Sequence, residues 1–498
     1  MSHIIVVGAD PAGLSAAYEL SRNRYPVTVL EASAQVGGLF RMEDFRGYRI
    51  DLGQYGFKTD IVEVRHLWNV FAGAEFGREK GKEAEVRSLI YFRDRLFNCP
   101  FSFTNLLKHL GPIDLSLTGL SFCKTWLNQS LTAAEDNRLD NGFEDAETWL
   151  KERFGTHLYN IFFASYFHKL WGRSASCLHS DCAIEMVQAL LGGNVSNSAL
   201  THSFAPLLKC AKAPHPQRGV GQVWQQAQAL AEQNGAQIKL NTSVETLKHN
   251  NQRIEQIIAT RGNATRLAVG DHVVSSLPLT TLVHRLDPPA PANVLAAADC
   301  LQYRSLIVVA LVLDYDVLFS AHEVHVHSPD VQVSRIQNFK NWSVEYVADY
   351  HKTCLGMTYL CDERDSLWQM DDDALVQLAF RELELLRLVP EDVPSDTSEE
   401  KAKSKPGKGP LLEMGTVVRQ VDAHPVRSVN YYQHKAVVQH YLEQFENLEV
   451  VGRHGFETST AQDASMLSGL MAARNVMRLP SRMRPVRVSP SLIAQDKN

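Results

Sequence analysis

The sequence predicts an α/β fold, with a Rossmann-type dinucleotide-binding domain into which an α+β domain is inserted. Three observations lead there. Residues 3–31 form a compact strand–turn–helix–strand pattern that opens on two spaced glycines and closes on an acid. The alternation of strand and helix then stops, giving way to aromatic-rich helical segments over residues 59–211. It resumes near residue 212 and again near residue 440, with short Val/Ile-rich runs of the kind that suit a sheet covered on both faces.

The elements follow in order. His3–Val7 is an apolar strand ending at Gly8, Ala12–Arg22 has helical spacing, and Pro26–Leu30 is a second apolar strand closed by Glu31. Glu144–Phe154 and Leu158–Leu170 carry apolar residues at helical intervals. Further on, Gly221–Asn234 reads as helix, while Gln237–Leu240, Val244–Lys248 and His272–Ser276 read as strands. Ser305–Leu313 is a strand and Asp373–Leu388 a helix, and Leu448–Val451 is a strand running into Gly452 before a helix at Ser465–Met477. The nucleotide-binding domain is therefore expected to be assembled from residues 1–58, 212–285 and 440–480. Residues 59–211 and 286–439 would form the second domain, and 481–498 a tail. Ser395–Pro410 is charged and poor in apolar residues, the composition of a surface loop.

Composition narrows the function classes. The 498 residues are 45% hydrophobic and 21% charged, ordinary for a globular chain of two or three domains. A net charge of -6 argues against a nucleic-acid partner. The eight cysteines (Cys99, Cys123, Cys177, Cys182, Cys210, Cys300, Cys354, Cys361) include no CxxC pair, which fits a reducing, cytoplasmic setting better than a disulfide framework or a zinc site. No apolar run is long enough to span a bilayer, and nothing in the sequence sets the oligomeric state.

The turn Val6-Val7-Gly8-Ala9-Asp10-Pro11-Ala12-Gly13 places Gly8 and Gly13 at the first and third positions of GxGxxG. Gly8 permits the tight turn, Gly13 lets the helix approach the sheet, and the free N–H groups of the helix favour a pyrophosphate. Glu31 stands 18 residues after Gly13, where an acid binds ribose hydroxyls. Asp10 replaces the middle glycine. A carboxylate about 5 Å from a phosphate charge, at an effective dielectric near 20, is repelled by roughly 3 kcal/mol.

Past Glu31 come a second glycine pair, Gly37-Gly38, then Arg41 and the stretch Gly47–Gly53. With Leu89–Ser102, Trp149–Gly172, Gly219–Leu247, Val273–Pro289, Ser334–Ser343 and Val450–Val476, the chain resembles the amine-oxidase and protoporphyrinogen-oxidase-like flavoproteins. It resembles UDP-galactopyranose mutase more distantly. The resemblance implies FAD as cofactor and oxidation of a small-molecule substrate by hydride transfer to flavin. Gly8, Asp10, Pro11, Ala12, Gly13, Glu31, Ala32, Gly37, Gly38 and Arg41 would hold the ADP half. Val244 would meet the adenine, with Gly452, Arg453, Asp463 and Ser465 at the flavin end. Arg335, Asn338 and Trp342 would face the substrate. Departures from the family pattern fall at Asp10, at Gln54 and over Glu457–Ala461. Two alternatives stand beside this expectation: a mutase-like use of reduced flavin without net redox change, and a homologue impaired in flavin binding that acts as an accessory protein. The mutase reading needs a cationic site for a nucleotide diphosphate, and no arginines cluster in the sequence beyond Arg93–Arg95 and Arg335.

Other patterns are read more plainly. His325 and His327, at i and i+2, lack an evident third ligand, so no metal is expected. Asp371–Asp373 reads as a helix N-terminal cluster, and the aromatic block Phe162–Trp171 as core or a pocket wall.

Overall fold

The computed structural model describes residues 2–53, 57, 59–77, 87–99, 110–132, 145–191, 216, 218–262, 264–268, 270–389, 411–453, 455 and 462–478. Gln54, Tyr55, the segment Ser395–Pro410 and Glu457–Ala461 lie outside these residues.

The N-terminal unit is strand β1 (Ile4–Val7), helix α1 (Pro11–Arg22) and strand β2 (Val27–Leu30). Pro11 at the first helical position costs no hydrogen bond, and Asn23 closes the helix. β1 pairs in parallel with β2 on one side and with His272–Ser275 on the other. Leu448–Val450 and Gln237–Lys239 complete a five-stranded parallel sheet, in the order 448–450, 272–275, β1, β2, 237–239.

Alternation along β1 explains the layers. Ile4 and Val6 point into a core built with α1, Val220–Gln233 and Gln462–Arg478, whereas Ile5 and Val7 join a core on the opposite face. That opposite core includes a four-stranded sheet (Ser243–His249, Ile254–Arg261, Ala264–Ala268, Leu286–Asp287) and the helices Leu279–His284, Ala292–Asp299 and Tyr431–Leu442. Gly469 fixes how closely the last helix approaches α1, because a Cβ there would lie 2.1 Å from Ala12 O.

A second, seven-stranded mixed sheet has Tyr303–Asp314 and Thr353–Cys361 near its centre and Leu411–Pro425, Arg335–Asn338, Glu323–Val326 and Ser88–Phe92 among its other strands. One face packs on the helix Asp372–Leu385. The other packs on Tyr48, Ile50 and Leu52, and so faces the nucleotide-binding sheet's loops. Two side-chain bridges hold that approach. Asp51 accepts hydrogen bonds from Tyr346 Oη (2.6 Å) and from Val220 N (3.0 Å). Arg41 donates to Gly38 O, to Glu43 and to Gln420 of the second sheet.

Several sequence expectations are refined here. The helix expected at Leu158–Leu170 is a π-helical turn at Tyr159–Phe163 running into Ala164–Trp171. The last helix begins at Gln462, so Ser465 lies inside it and is buried. Asp371 is the cap of its helix, accepting from Ala374 N at 2.8 Å. The aromatic block packs as core; within it Tyr166 makes a polar contact, to His325 Nδ1 at 3.2 Å.

Candidate functional site

The glycine turns converge on one place. Gly8 has φ +98° and receives a backbone bond from nowhere in the helix; its own N–H goes to Leu30 O at 2.9 Å, locking the turn to the end of β2. A Cβ on Gly8 would lie 2.2 Å from Ser276 Oγ, and one on Gly13 would lie 2.0 Å from Gly8 O, so both positions are closed to any side chain. The second glycine pair docks on the same turn, Gly37 N donating to Ala9 O at 2.7 Å. Gly452 arrives from the far end of the chain. Val451 N bonds to Ser275 O, and Gly452 N is held by Ser468 Oγ at 2.9 Å.

Asp10 sits at the centre of this convergence. It caps α1, with Oδ1 accepting from Gly13 N at 2.9 Å. A Cβ on Gly38 would lie 3.1 Å from Asp10 Cβ, and one on Gly452 would lie 3.2 Å from Asp10 Oδ2. The carboxylate thus lies between the two glycines, turned back onto the helix terminus. Burial, opposed by hydrogen bonds from Gly13, Ser276 and Ala12 and reinforced by the charge of Glu31, pushes its pKa up to about 6. Arg453 lies on the opposite flank. Burial lowers its pKa to about 10 against the attraction of Asp10 and Glu185, and its Nε is buried without a partner.

Glu31 is a bracket. Its carboxylate accepts from Ala9 N (2.6 Å), from Ser33 N (2.8 Å) and from the Ser33 hydroxyl. Its backbone joins the later segment, since Glu31 N bonds to Lys239 O and Thr242 N to Glu31 O, bringing Val244 beside it. Ala32 is exposed at this end. Asp463 stands in the first turn of the last helix and accepts from Ala464 N at 2.9 Å.

The second sheet supplies a polar wall. Arg335 Nη2 lies 3.5 Å from Gly53 O, linking that wall to the nucleotide loops. Asn338 is buried, with no partner at Oδ1, and Trp342 packs edge-on against His322. Gln337, not singled out in the sequence, is fully buried, and neither atom of its amide has a partner among the described residues. Its strand neighbours carry the same signal: Thr358, opposite Arg335 in the pairing, has an unpartnered buried hydroxyl. A buried amide without partners costs about 1–3 kcal/mol, which a ligand, a water or an ion offsets by completing its bonding. From sequence, Gln337 reads as one polar residue in a strand, and only the fold shows that its partners are missing.

The charges of three arginines dispersed in the sequence reach His424. Burial pushes the His424 imidazole down to about 3, and the charges of Arg453, Arg335 and Arg427 push in the same direction. Arg427 is neutralised by a two-pronged bond to Glu185, one contact at 2.9 Å. Arg335 and Arg453 make no ion pair among the described residues, in which Glu185 is taken by Arg427. Of the arginines singled out in the sequence, Arg93 is engaged by Asp114. His325 and His327 part ways: His325 bonds toward Glu323 and Tyr166, while His327 stacks on Tyr166 at 3.8 Å and bonds Phe162 O.

A profile described as flavin-containing amine oxidoreductase matches residues 11–477. The chain belongs to the flavin-containing amine oxidoreductase family. Among its relatives, L-amino acid oxidase Cdc18 of Crotalus durissus cumanensis is 49% identical over 69 residues, 14% of this chain and 14% of that protein. The match therefore spans about a seventh of that relative's length. In solved structures, reduced UDP-galactopyranose mutase superposes with a TM-score of 0.73 at 17% identity, covering 97% of each chain. A protein of Exiguobacterium sp. 255-15 assigned to protoporphyrinogen oxidase gives 0.66 at 15% identity, covering 95% of this chain and 98% of that one. These two likenesses establish the fold, and the profile match establishes the family. Among the described residues, no helix is long and apolar enough to cross a membrane.

Gly8, Gly13, Gly37 and Gly452 converge beside Glu31 in a backbone cradle that a Cβ at Gly8 or Gly13 would close, a lining that suits a dinucleotide. The side chain of Asp10 fills the space between Gly38 and Gly452.

Proposed function

We propose that this chain binds FAD along Gly8–Gly13, Glu31, Gly37–Gly38 and Gly452, and oxidises a small-molecule substrate carrying an anionic group. When bound, FAD supplies the hydride acceptor. The chain's own residues do the rest. Glu31 accepts from the ribose hydroxyls, α1 offers its N-terminal dipole, and Arg41 and Asp51 hold the second sheet against the nucleotide loops. Arg335 attracts the substrate's anion, and the Gln337 amide orients a polar group. The observation that carries this reading is the pair of buried polar side chains at Gln337 and Thr358, without partners among the described residues, on the sheet face that also bears Arg335, whose guanidinium reaches Gly53.

Purified protein supplied with FAD should show bound-flavin absorbance near ~450 nm. Anionic substrates that bleach it under nitrogen identify the class. Folded protein that never takes up FAD would leave the accessory-protein reading in the lead. Arg335 and Arg453, which make no ion pair among the described residues, favour one second reading, a mutase-like reaction on a nucleotide diphosphate without net redox change. Turnover that consumes no electron acceptor distinguishes it.

A further inference from the structure

The Asp10 carboxylate and a pyrophosphate need the same things: the N–H groups at the start of α1 and the gap between Gly38 and Gly452. Oδ1 already takes Gly13 N, and Oδ2 lies 3.2 Å from where a Gly452 side chain would begin. The polar and charged groups around it come from three other elements, two of them charged. Glu31, at the end of β2, repels it. Arg453, after the strand Leu448–Val450, attracts it. From the segment after His272–Ser275 it meets only the Ser276 hydroxyl, which also reaches Val7 O at 3.2 Å. Gly38 presents no charge. An ionised Asp10 beside a phosphate would put two anions and Glu31 around one guanidinium. A protonated Asp10 has a hydrogen to donate, and the phosphate oxygens accept it.

We propose, resting on the FAD reading above, that Asp10 binds the dinucleotide as a carboxylic acid, so that FAD association takes up one proton. Asp10 is then a binding group with a built-in pH dependence. The pyrophosphate keeps its charges across the range concerned, so the proton goes to the protein. With the free carboxyl titrating at about 6, the dissociation constant rises about 25-fold between pH 5.5 and 7.5, approaching tenfold per pH unit.

Equilibrium dialysis of flavin-free protein against FAD from pH 5.5 to 8 measures this directly, without turnover. Wild type should follow that slope. Asp10→Asn, which carries a permanent donor of the same shape, should bind with no slope and at pH 7.5 about as tightly as wild type does at pH 5.5. Asp10→Gly, which empties the gap, should also be flat, and serves if the asparagine variant fails to fold by circular dichroism. A flat wild-type profile with measurable binding overturns the proposal and leaves the FAD reading intact. So does a slope that persists in the folded variants. Folded proteins, wild type and variants, that bind no FAD at any pH overturn both.

Discussion

Replacing Glu31 by alanine tests whether the acid at the end of β2 acts only on a cofactor. Its carboxylate accepts from Ala9 N at 2.6 Å and from Ser33 N at 2.8 Å, besides the Ser33 hydroxyl, and the residue is only 9% exposed. Hydrogen bonds to a charged group contribute about 1.5–3 kcal/mol each, and a buried donor left without a partner costs about 1–3 kcal/mol. Ala9 N has no replacement acceptor in the described turn, whereas Ser33 is partly exposed and can turn to water. The Ala9 bond therefore dominates, and Glu31→Ala should lose about 2–4 kcal/mol of stability with no cofactor present. Thermal unfolding of flavin-free wild type and variant, followed by circular dichroism, measures it. Glu31→Gln keeps one acceptor oxygen and should fall between the two. FAD binding should weaken in both variants, as ribose hydroxyls lose their acceptor. If Glu31→Ala melts with wild type and differs only in FAD affinity, the bracket described here contributes nothing, and the acid is a cofactor ligand alone.

Other perturbations read other parts of the structure. Burial lifts Asp51 to about 6, so its ionisation opposes folding as pH rises from about 4 through about 6. Asp51→Asn should gain stability relative to wild type across that window, and melting curves at pH 4.5 and 7 that shift in parallel would contradict this. Gly469→Ala places a Cβ 2.1 Å from Ala12 O and should destabilise by more than 2 kcal/mol, in the manner of an overpacked core, measured by urea unfolding. Gln337→Leu removes an unpartnered buried amide, so the melting temperature should hold or rise while substrate turnover falls. A variant that loses stability as well would show that the amide has a structural partner.

The sequence reveals the parts of this molecule that depend on neighbours in the chain. Gly8, Gly13 and Glu31 are recognisable because a tight turn, a helix start and a strand end follow each other within one unit. The strand and helix texture returning near 212 and 440 is recognisable because apolar periodicity is local. Asp10 shows where such reasoning stops. Sequence gives a carboxylate opposed to phosphate, whereas the structure shows the same group capping its own helix between Gly38 and Gly452. Gln337, Ser276 and Gly469 become notable only through contacts with residues far away in the chain. No local pattern could single them out.

The order of the parallel sheet bears on how the protein is made. Its outer strand, Leu448–Val450, lies beside His272–Ser275, which is synthesised some 170 residues earlier. At ~5–20 residues per second, a ribosome leaves that edge unpaired for roughly 10–35 seconds. Asp51 likewise waits for Tyr346. Throughout that interval the nascent chain presents a row of free N–H and C=O groups flanked by Val273 and Val274, a template for pairing with another chain. Synthesis halted before residue 448 would leave that edge unpaired, so a chain terminated there should be recovered in the insoluble or chaperone-held fraction rather than as a smaller working domain.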